Sequence, residues 1–346
     1  MFFYICIILL FFLFAVFTKT QIVKRILCFC ILAFPPAFRK DIGGIDYFIY
    51  QSSYIKDEYK FEPAYNFVMM CGKWIGINFD LFLCIITLIS FLLLFNSVLK
   101  HTEYFFFALL IYIAKLYIFY DFVLVRQMIA IPFVWLALSK LRDKNNYQYA
   151  IYLLVASLFH YSAILLFPLC FFIHSRFSNK CIIAILILSL IAKEFVVYLL
   201  DLISNLIPYI GYRLNDYLDK NNSVNIFNFA EQGILLLILM KHRKMFEKNN
   251  IQFNFYFNLF LISIVLLIIF SSLEDIKRLK DYFILSYFIL LPATLSLFRT
   301  KNEKIIVWGM LVIYFTILYI RSCILFSSTA GTGELYPYKS ILDSYF

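Results

Sequence analysis

The stretch YQYAIYLLVASLFHYSAILLFPLCFFI, Tyr147 to Ile173, decides how the rest of the chain is threaded. It is about 27 almost unbroken apolar residues, long for one membrane helix of about 20 residues and short for two. His160-Tyr161-Ser162 interrupts it at its midpoint. Lys140, Arg142 and Lys144 precede it, and Arg176 and Lys180 follow it. Lys and Arg concentrate on the cytoplasmic side of membrane proteins, so both flanks lie on that side. A stretch that enters and leaves on one side is a hairpin of two half-helices. Its apex, at His160, points to the outer face.

Working outward, apolar runs predict helices near 2–17, 22–38, 78–99, 103–120 and 122–139 before the hairpin. After it they predict helices near 181–200, 229–241, 253–272, 282–298 and 304–326. The reading is an all-α polytopic membrane protein with about 10–12 spans, the hairpin included. The whole chain, 1–346, is read as a single integral membrane domain. By the same parity, the cations at Lys241, Arg243, Lys244 and Lys248, and at Arg299, Lys301 and Lys304, fall inside. The segments 39–77, 201–228 and 327–346 fall outside, the first two as external loops carrying interfacial elements. Lys277, Arg278 and Lys280 land outside, against the charge rule unless they meet an anion there. The N-terminal run MFFYICIILLFFLFAVF lacks a basic leader and an A-x-A site, so it reads as a retained span with its N-terminus outside.

Composition agrees. Of 346 residues, 63% are hydrophobic and 15% charged, and the mean hydropathy is +0.85. Soluble domains are about 45–50% apolar, so a cytosolic enzyme, a secreted domain and a disordered chain are excluded. The net charge of +10 is the Lys/Arg excess of cytoplasmic loops. Cations are never densely clustered, so no nucleic-acid partner is expected. The eight cysteines show no CxxC pair and no zinc spacing with His; they read as small apolar residues. No P-loop, GxGxxG, HExxH or DxD is present.

Few residues can carry chemistry. Arg126 sits in DFVLVRQMIAIPFVWLAL, about 7.5 Å along a helix from its outer end at Asp121. An Arg in a span costs about 2.5–3.5 kcal/mol on insertion scales. It either snorkels or pairs with another helix, or it grips an anion with its planar fork, with Gln127 beside it. His160 is either a core residue or a base and phosphate donor; its placement beside Ser162 on the outer side favours the second. Arg213, in IPYIGYRLNDYL, and Arg278 with Lys280, in SSLEDIKRLKDYF, are outer cations among aromatics. They are interfacial anchors, or they converge with Arg126 on one polyanion. Asp46 and Glu62 flank the Tyr-rich runs DYFIYQSSY and FEPAY, a combination suited to stacking on sugars and bonding their hydroxyls.

With these residues in view, the chain resembles the EpsG/Wzy-type polysaccharide polymerases. VRQMIA at 125–130 and SLFHYSAILLFPL at 157–169 resemble the family's paired signature, about 35 residues apart. The DYxxY run from Asp46, EPAY from Glu62, the Arg278–Tyr282–Phe283 segment and YPYKS at 336–340 are also similar. The likeness covers about residues 41–342. Tyr161 stands where Lys or a small polar residue is more usual, and Met128 where Gly is. The resemblance implies a GT-C-like membrane glycosyltransferase acting on the outer side of the bacterial inner membrane. It would join oligosaccharide repeats carried on undecaprenyl diphosphate into O-antigen, capsule or exopolysaccharide. Arg126, His160, Asp46 and Glu62 would be catalytic. Gln127, Ser162, Arg213, Arg278, Lys280, Tyr338 and Lys339 would bind substrate. No metal or nucleotide cofactor is implied. Its partners would be the lipid-linked donor and acceptor, membrane lipids, a chain-length regulator and a flippase. A flippase for lipid-linked oligosaccharide and an envelope ligase are the alternatives. The flippase class favours internal repeats, and no second half resembles 122–173.

Overall fold

The computed structural model describes residues 1–206, 226–250, 252–271, 273–329 and 335–344. Every regular element among them is helical, and the extended pairing they show is a bridge between Arg39 and Ser340. Among the described residues four helices are long and apolar enough to cross a membrane: Phe79–His101, Phe105–Phe122, Asn179–Leu199 and Lys301–Phe326. Shorter apolar helices occur at Phe2–Phe17, Tyr161–Phe172 and Phe253–Ile269. The protein is an all-helical polytopic membrane protein. The expectation of an interfacial helix over 201–228 falls largely outside the described residues.

The chain divides into two compact units, one of residues 1–167 with 299–346 and one of residues 168–298. The first begins with α1 (Phe2–Phe17), α2 (Gln21–Ala37), α3 (Gly44–Lys56), α4 (Pro63–Ile75) and α5 (Phe79–His101). It continues with α6 (Phe105–Phe122), which has a π-helical turn at Ile113–Tyr117, then α7 (Val125–Arg142) and α8 (Asn146–Phe159). A 3-10 turn at Tyr161–Leu166 follows, and the helix Lys301–Thr329 and a 3-10 turn at Ile341–Ser344 complete the described part of the unit.

Segment 39–77, read from sequence as a loop with interfacial elements, contains two full helices. Tyr47, Tyr50 and Tyr54 on α3, and Tyr65, Met69 and Gly72 on α4, are buried at helical spacing. Polar residues between them depress the mean hydropathy, which hides the period from a scan for apolar runs. These faces close over Phe82, Leu83 and Ile86 of α5 and Val125, Met128 and Ile129 of α7. The opposite face of α4 leaves Phe67, Met70 and Trp74 exposed, a stripe suited to a membrane interface. Pro63 occupies the first turn of α4, where its missing N–H costs nothing. Gly43 starts α3 at φ +136°, and a Cβ there would lie 2.4 Å from the Phe122 carbonyl oxygen, so only glycine lets α3 approach the end of α6 so closely.

Prolines inside helices leave the carbonyl four residues earlier without its usual donor. Pro36 does this to Leu32, and the Tyr117 hydroxyl donates to that carbonyl at 2.9 Å. Pro132 does it to Met128, and the Ser90 hydroxyl donates there at 2.9 Å. Side chains of α6 and α5 thereby tie down α2 and α7.

The predicted hairpin is observed as a sharp break. His160 is extended (φ −154°, ψ 110°) and ends α8. The chain then folds back in the 3-10 turn, so that the Tyr149 hydroxyl, from the first turn of α8, donates to the Leu166 carbonyl.

In the second unit, Asn179–Leu206 is the longest helix among the described residues, and Ile226–Lys241, Arg243–Asn249 and Phe253–Ile269 follow it. The Asn258 amide donates to the carbonyls of Ile173 (2.6 Å) and Ser175 (2.8 Å).

Candidate functional site

Three helix ends of the first unit bring an arginine, a glutamate and a histidine side chain together. Glu62 is the N-cap residue of α4, Arg126 is the second residue of α7, and His160 is the C-cap of α8. Arg126 Nη1 donates to Glu62 Oε2 at 2.6 Å. His160 Nδ1 lies 3.3 Å from Glu62 Oε1, within bonding distance but off the line of a good hydrogen bond. One carboxylate thus faces both a guanidinium and an imidazole.

Each is positioned by local structure. Arg126 was expected about 7.5 Å inside a helix that starts near Asp121. Instead the backbone breaks at Val123–Leu124, where the Leu124 amide reaches back to the Phe119 carbonyl and ψ turns to +63°, and α7 begins at Val125. A cation on a first turn opposes the helix dipole, and the Glu62 carboxylate offsets it. Glu62 is held by a clamp in the α3–α4 loop: Asn66 accepts from the Phe61 amide (3.1 Å) and donates to the Phe61 carbonyl (2.7 Å). His160 is placed by packing of α8 on α7, with Phe159 stacked parallel to Phe133 at 5.9 Å. Behind it, the Ala163 amide donates to the His160 carbonyl.

Aromatic rings complete the setting. The Arg126 guanidinium lies over the Phe61 ring, 4.8 Å from its centroid, and its Nε donates to the Tyr50 hydroxyl at 3.3 Å. Tyr50 and Tyr65 pack behind Phe61. The Glu62 side chain is 4% exposed, while those of Arg126 and His160 are 29% and 26% exposed, so the two basic groups form the open rim and the carboxylate the floor. Burial pushes the Glu62 pKa up, but the facing His160 ring nitrogen, the Arg126 hydrogen bond and the guanidinium charge outweigh it and hold it at about 2. Burial likewise raises the Tyr50 phenol, against the pull of Arg126.

The other expected residues are distributed differently. Asp46 is one helical turn before Tyr50 on α3, near enough for its charge to act on that phenol. Gln127 is buried beside Arg126, but among the described residues it bonds to none of the three charged groups. Ser162 lies in the 3-10 turn after His160. The Tyr338 hydroxyl donates to the Pro35 carbonyl at 2.9 Å and its ring stacks on Phe3 at 4.0 Å. The Lys339 carbonyl accepts from the Lys40 amide. Both tie the C-terminal segment to the end of α2. In the second unit, Arg278 opens the 3-10 segment Arg278–Ser286, and Lys280 pairs with Asp281 at 2.5 Å. Arg213 lies outside the described residues. Among those residues no three His, Cys, Asp or Glu side chains cluster as a metal site would need. Tyr50 and Phe61 are the contacts that sequence reading did not single out. Their signal was present in the Tyr-rich runs around Asp46 and Glu62, without any indication of which ring meets which charge.

No curated protein and no solved structure matches the chain. The model of the EpsG family matches residues 22–340, nearly the whole length. The two helix ends that carry Arg126 and His160, and the one that carries Glu62, all lie within that match, and the chain belongs to the EpsG family of Wzy-type polysaccharide polymerases.

Proposed function

We propose that this polymerase joins oligosaccharide repeat units carried on undecaprenyl diphosphate, at a site on the outer side of the bacterial inner membrane built on Arg126, Glu62 and His160. The growing glycan is transferred from its lipid diphosphate to a hydroxyl of the next repeat unit. The bond from the anomeric carbon to the diphosphate oxygen breaks, and its electron pair leaves with the diphosphate. The new glycosidic C–O bond forms from the opposite face, inverting the anomeric centre. The acceptor proton passes to a base. GT-C architecture is part of the same reading, and so are a flippase and a chain-length regulator as partners.

The observation that carries this is the carboxylate shared between Arg126 and His160. Arg126 spends Nε on Tyr50 and one Nη1 proton on Glu62. Among the described residues Nη2 has no partner, so the partly exposed fork is available to a phosphate oxygen. Its task is to stabilise charge as the leaving group departs. Glu62, held ionised, is a weak base; it orients its two neighbours instead. With Nδ1 turned to Glu62, His160 offers its other ring nitrogen to the acceptor hydroxyl, the orienting logic of carboxylate–imidazole pairs. Phe61 supplies a face and Asp46 an acceptor for sugar rings, with Tyr50 backing Phe61 from the core. Gln127, Ser162, Arg213, Arg278 and Lys280 are assigned to substrate from their places in the sequence, and Tyr338 and Lys339 from the resemblance.

The test is replacement of Arg126 by Ala and by Lys, with membrane levels checked by blot and the surface polysaccharide resolved on a gel. Arg126→Ala is expected to lower polymerisation about 10²–10³-fold and leave single repeat units. Arg126→Lys keeps the charge without the fork and retains part of the activity. Long chains from Arg126→Ala remove the clamp.

A further inference from the structure

The second unit holds a cavity of about 690 Å³ lined by Arg176, Asn179, Lys241, His242, Arg243 and Lys244, among others. It lies where three helices end or begin: Asn179–Leu206 starts there, Ile226–Lys241 finishes there, and Phe253–Ile269 begins beside it. Four of its side chains carry permanent positive charge, and one carboxylate answers two of them. Glu247 accepts from Arg243 Nε at 2.8 Å and from Arg176 Nε at 3.2 Å and Nη2. Arg243 is buried and fully engaged, its Nη1 on the Phe177 carbonyl and its Nη2 on Asn254 Oδ1 at 2.7 Å. It is a fixed wall. Lys241 and Lys244 have no counter-charge among the described residues.

We propose that this cavity binds a phosphoryl group, delivered by the headgroup of an anionic phospholipid. Three features favour that ligand. Two exposed ammonium groups with no carboxylate partner attract an anion to the cavity. The opening turn of Asn179–Leu206 adds backbone N–H donors next to the Ser178 cap, whose Oγ accepts from the Cys181 amide at 3.2 Å. The height is right as well. Asn179–Leu199 is a membrane-length helix with only 11% of its apolar window buried inside the protein, so lipid surrounds it, and its first residue lines the cavity. Lipid phosphates lie at that level. Phe177, Met240 and Met245 in the lining suit the glycerol and upper acyl carbons.

The full chain in nanodiscs of phosphatidylcholine doped with phosphatidylglycerol is examined by native mass spectrometry, counting each lipid retained. The variants are Lys241→Gln with Lys244→Gln, Lys244→Glu, and Lys248→Gln, the last outside the lining. Two cations near the surface at about 1 kcal/mol each correspond to about a thirtyfold fall in phosphatidylglycerol retention over phosphatidylcholine for the double variant. Lys244→Glu, also a change of two charges, is expected to fall about as far, and Lys248→Gln to stay within about twofold. A second arm adds millimolar inorganic phosphate to lipid-depleted protein in detergent. Thermal protection there, lost in the double variant, supports the phosphoryl site and makes free phosphate its ligand. Equal phosphatidylglycerol retention in wild type and variants, with no protection by phosphate, overturns the proposal.

Discussion

Glu62 faces a guanidinium and an imidazole at once and has the lowest exposure of the three side chains at the site. Its depressed pKa carries a sign. A carboxyl held below its unfolded value contributes stability that is complete above about 4.5 and is lost as pH falls through about 2. The carboxylate stretch that distinguishes wild type from Glu62→Gln in difference infrared spectra is therefore expected to persist at pH 4 and to fade only near pH 2. A band lost at pH 4–5 places Glu62 outside the pair. Glu62→Gln keeps the shape of the side chain while removing the charge that orients Arg126 and His160. Polymerisation should drop about 10²-fold or more at unchanged membrane levels, as when an imidazole loses its orienting carboxylate. Full-length chains from this variant exclude Glu62 from the machinery.

At the scale of elements, the site depends on where helices stop. Arg126 is accessible because α6 breaks at Val123–Leu124, and His160 because α8 ends in an extended residue. Pro132 weakens α7 just beyond Arg126, and Ser90 of α5 restores the missing bond at Met128. Ser90→Ala leaves that buried carbonyl unsatisfied and is expected to cost about 1–3 kcal/mol. Ser97→Ala is the comparison. Its hydroxyl only back-bonds to the Leu94 carbonyl in its own helix, so its loss should cost under about 0.5 kcal/mol. Thermal unfolding of both variants in one detergent checks the difference, and equal effects refute the proline argument. The α3–α4 pair lay unread in the sequence for a related reason. Its buried positions are tyrosines at helical spacing, separated by Asp, Gln, Ser and Asn, and a scan for apolar runs passes over them.

At the scale of the whole molecule, helices of similar hydropathy meet different surroundings. The window of Phe105–Phe122 is 83% buried, while that of Lys301–Phe326 is 17% buried. Lipid is as apolar as a core, so burial here stabilises through packing rather than transfer from water. Leu109→Ala, at a fully buried position, should cost about 1–2 kcal/mol for the cavity it leaves. Ile306→Ala, at a 57% exposed position on the closing helix, should fall within about 0.5 kcal/mol, because lipid fills the space. Unfolding in detergent measures both, and similar losses contradict the assignment of protein-facing and lipid-facing helices. Hydropathy and charge are local properties, and they alone determined that this chain is all-helical, membrane-embedded and broken at His160. The short motifs around Arg126 and His160 marked two of the three charged groups and pointed to the family. That Glu62 joins them was decided only by the tertiary structure. It is 64 residues from Arg126 along the chain, and what unites them is the α3–α4 pair packing its tyrosine face over α5 and α7. Such a meeting of helix ends depends on contacts between distant segments, which no local pattern encodes.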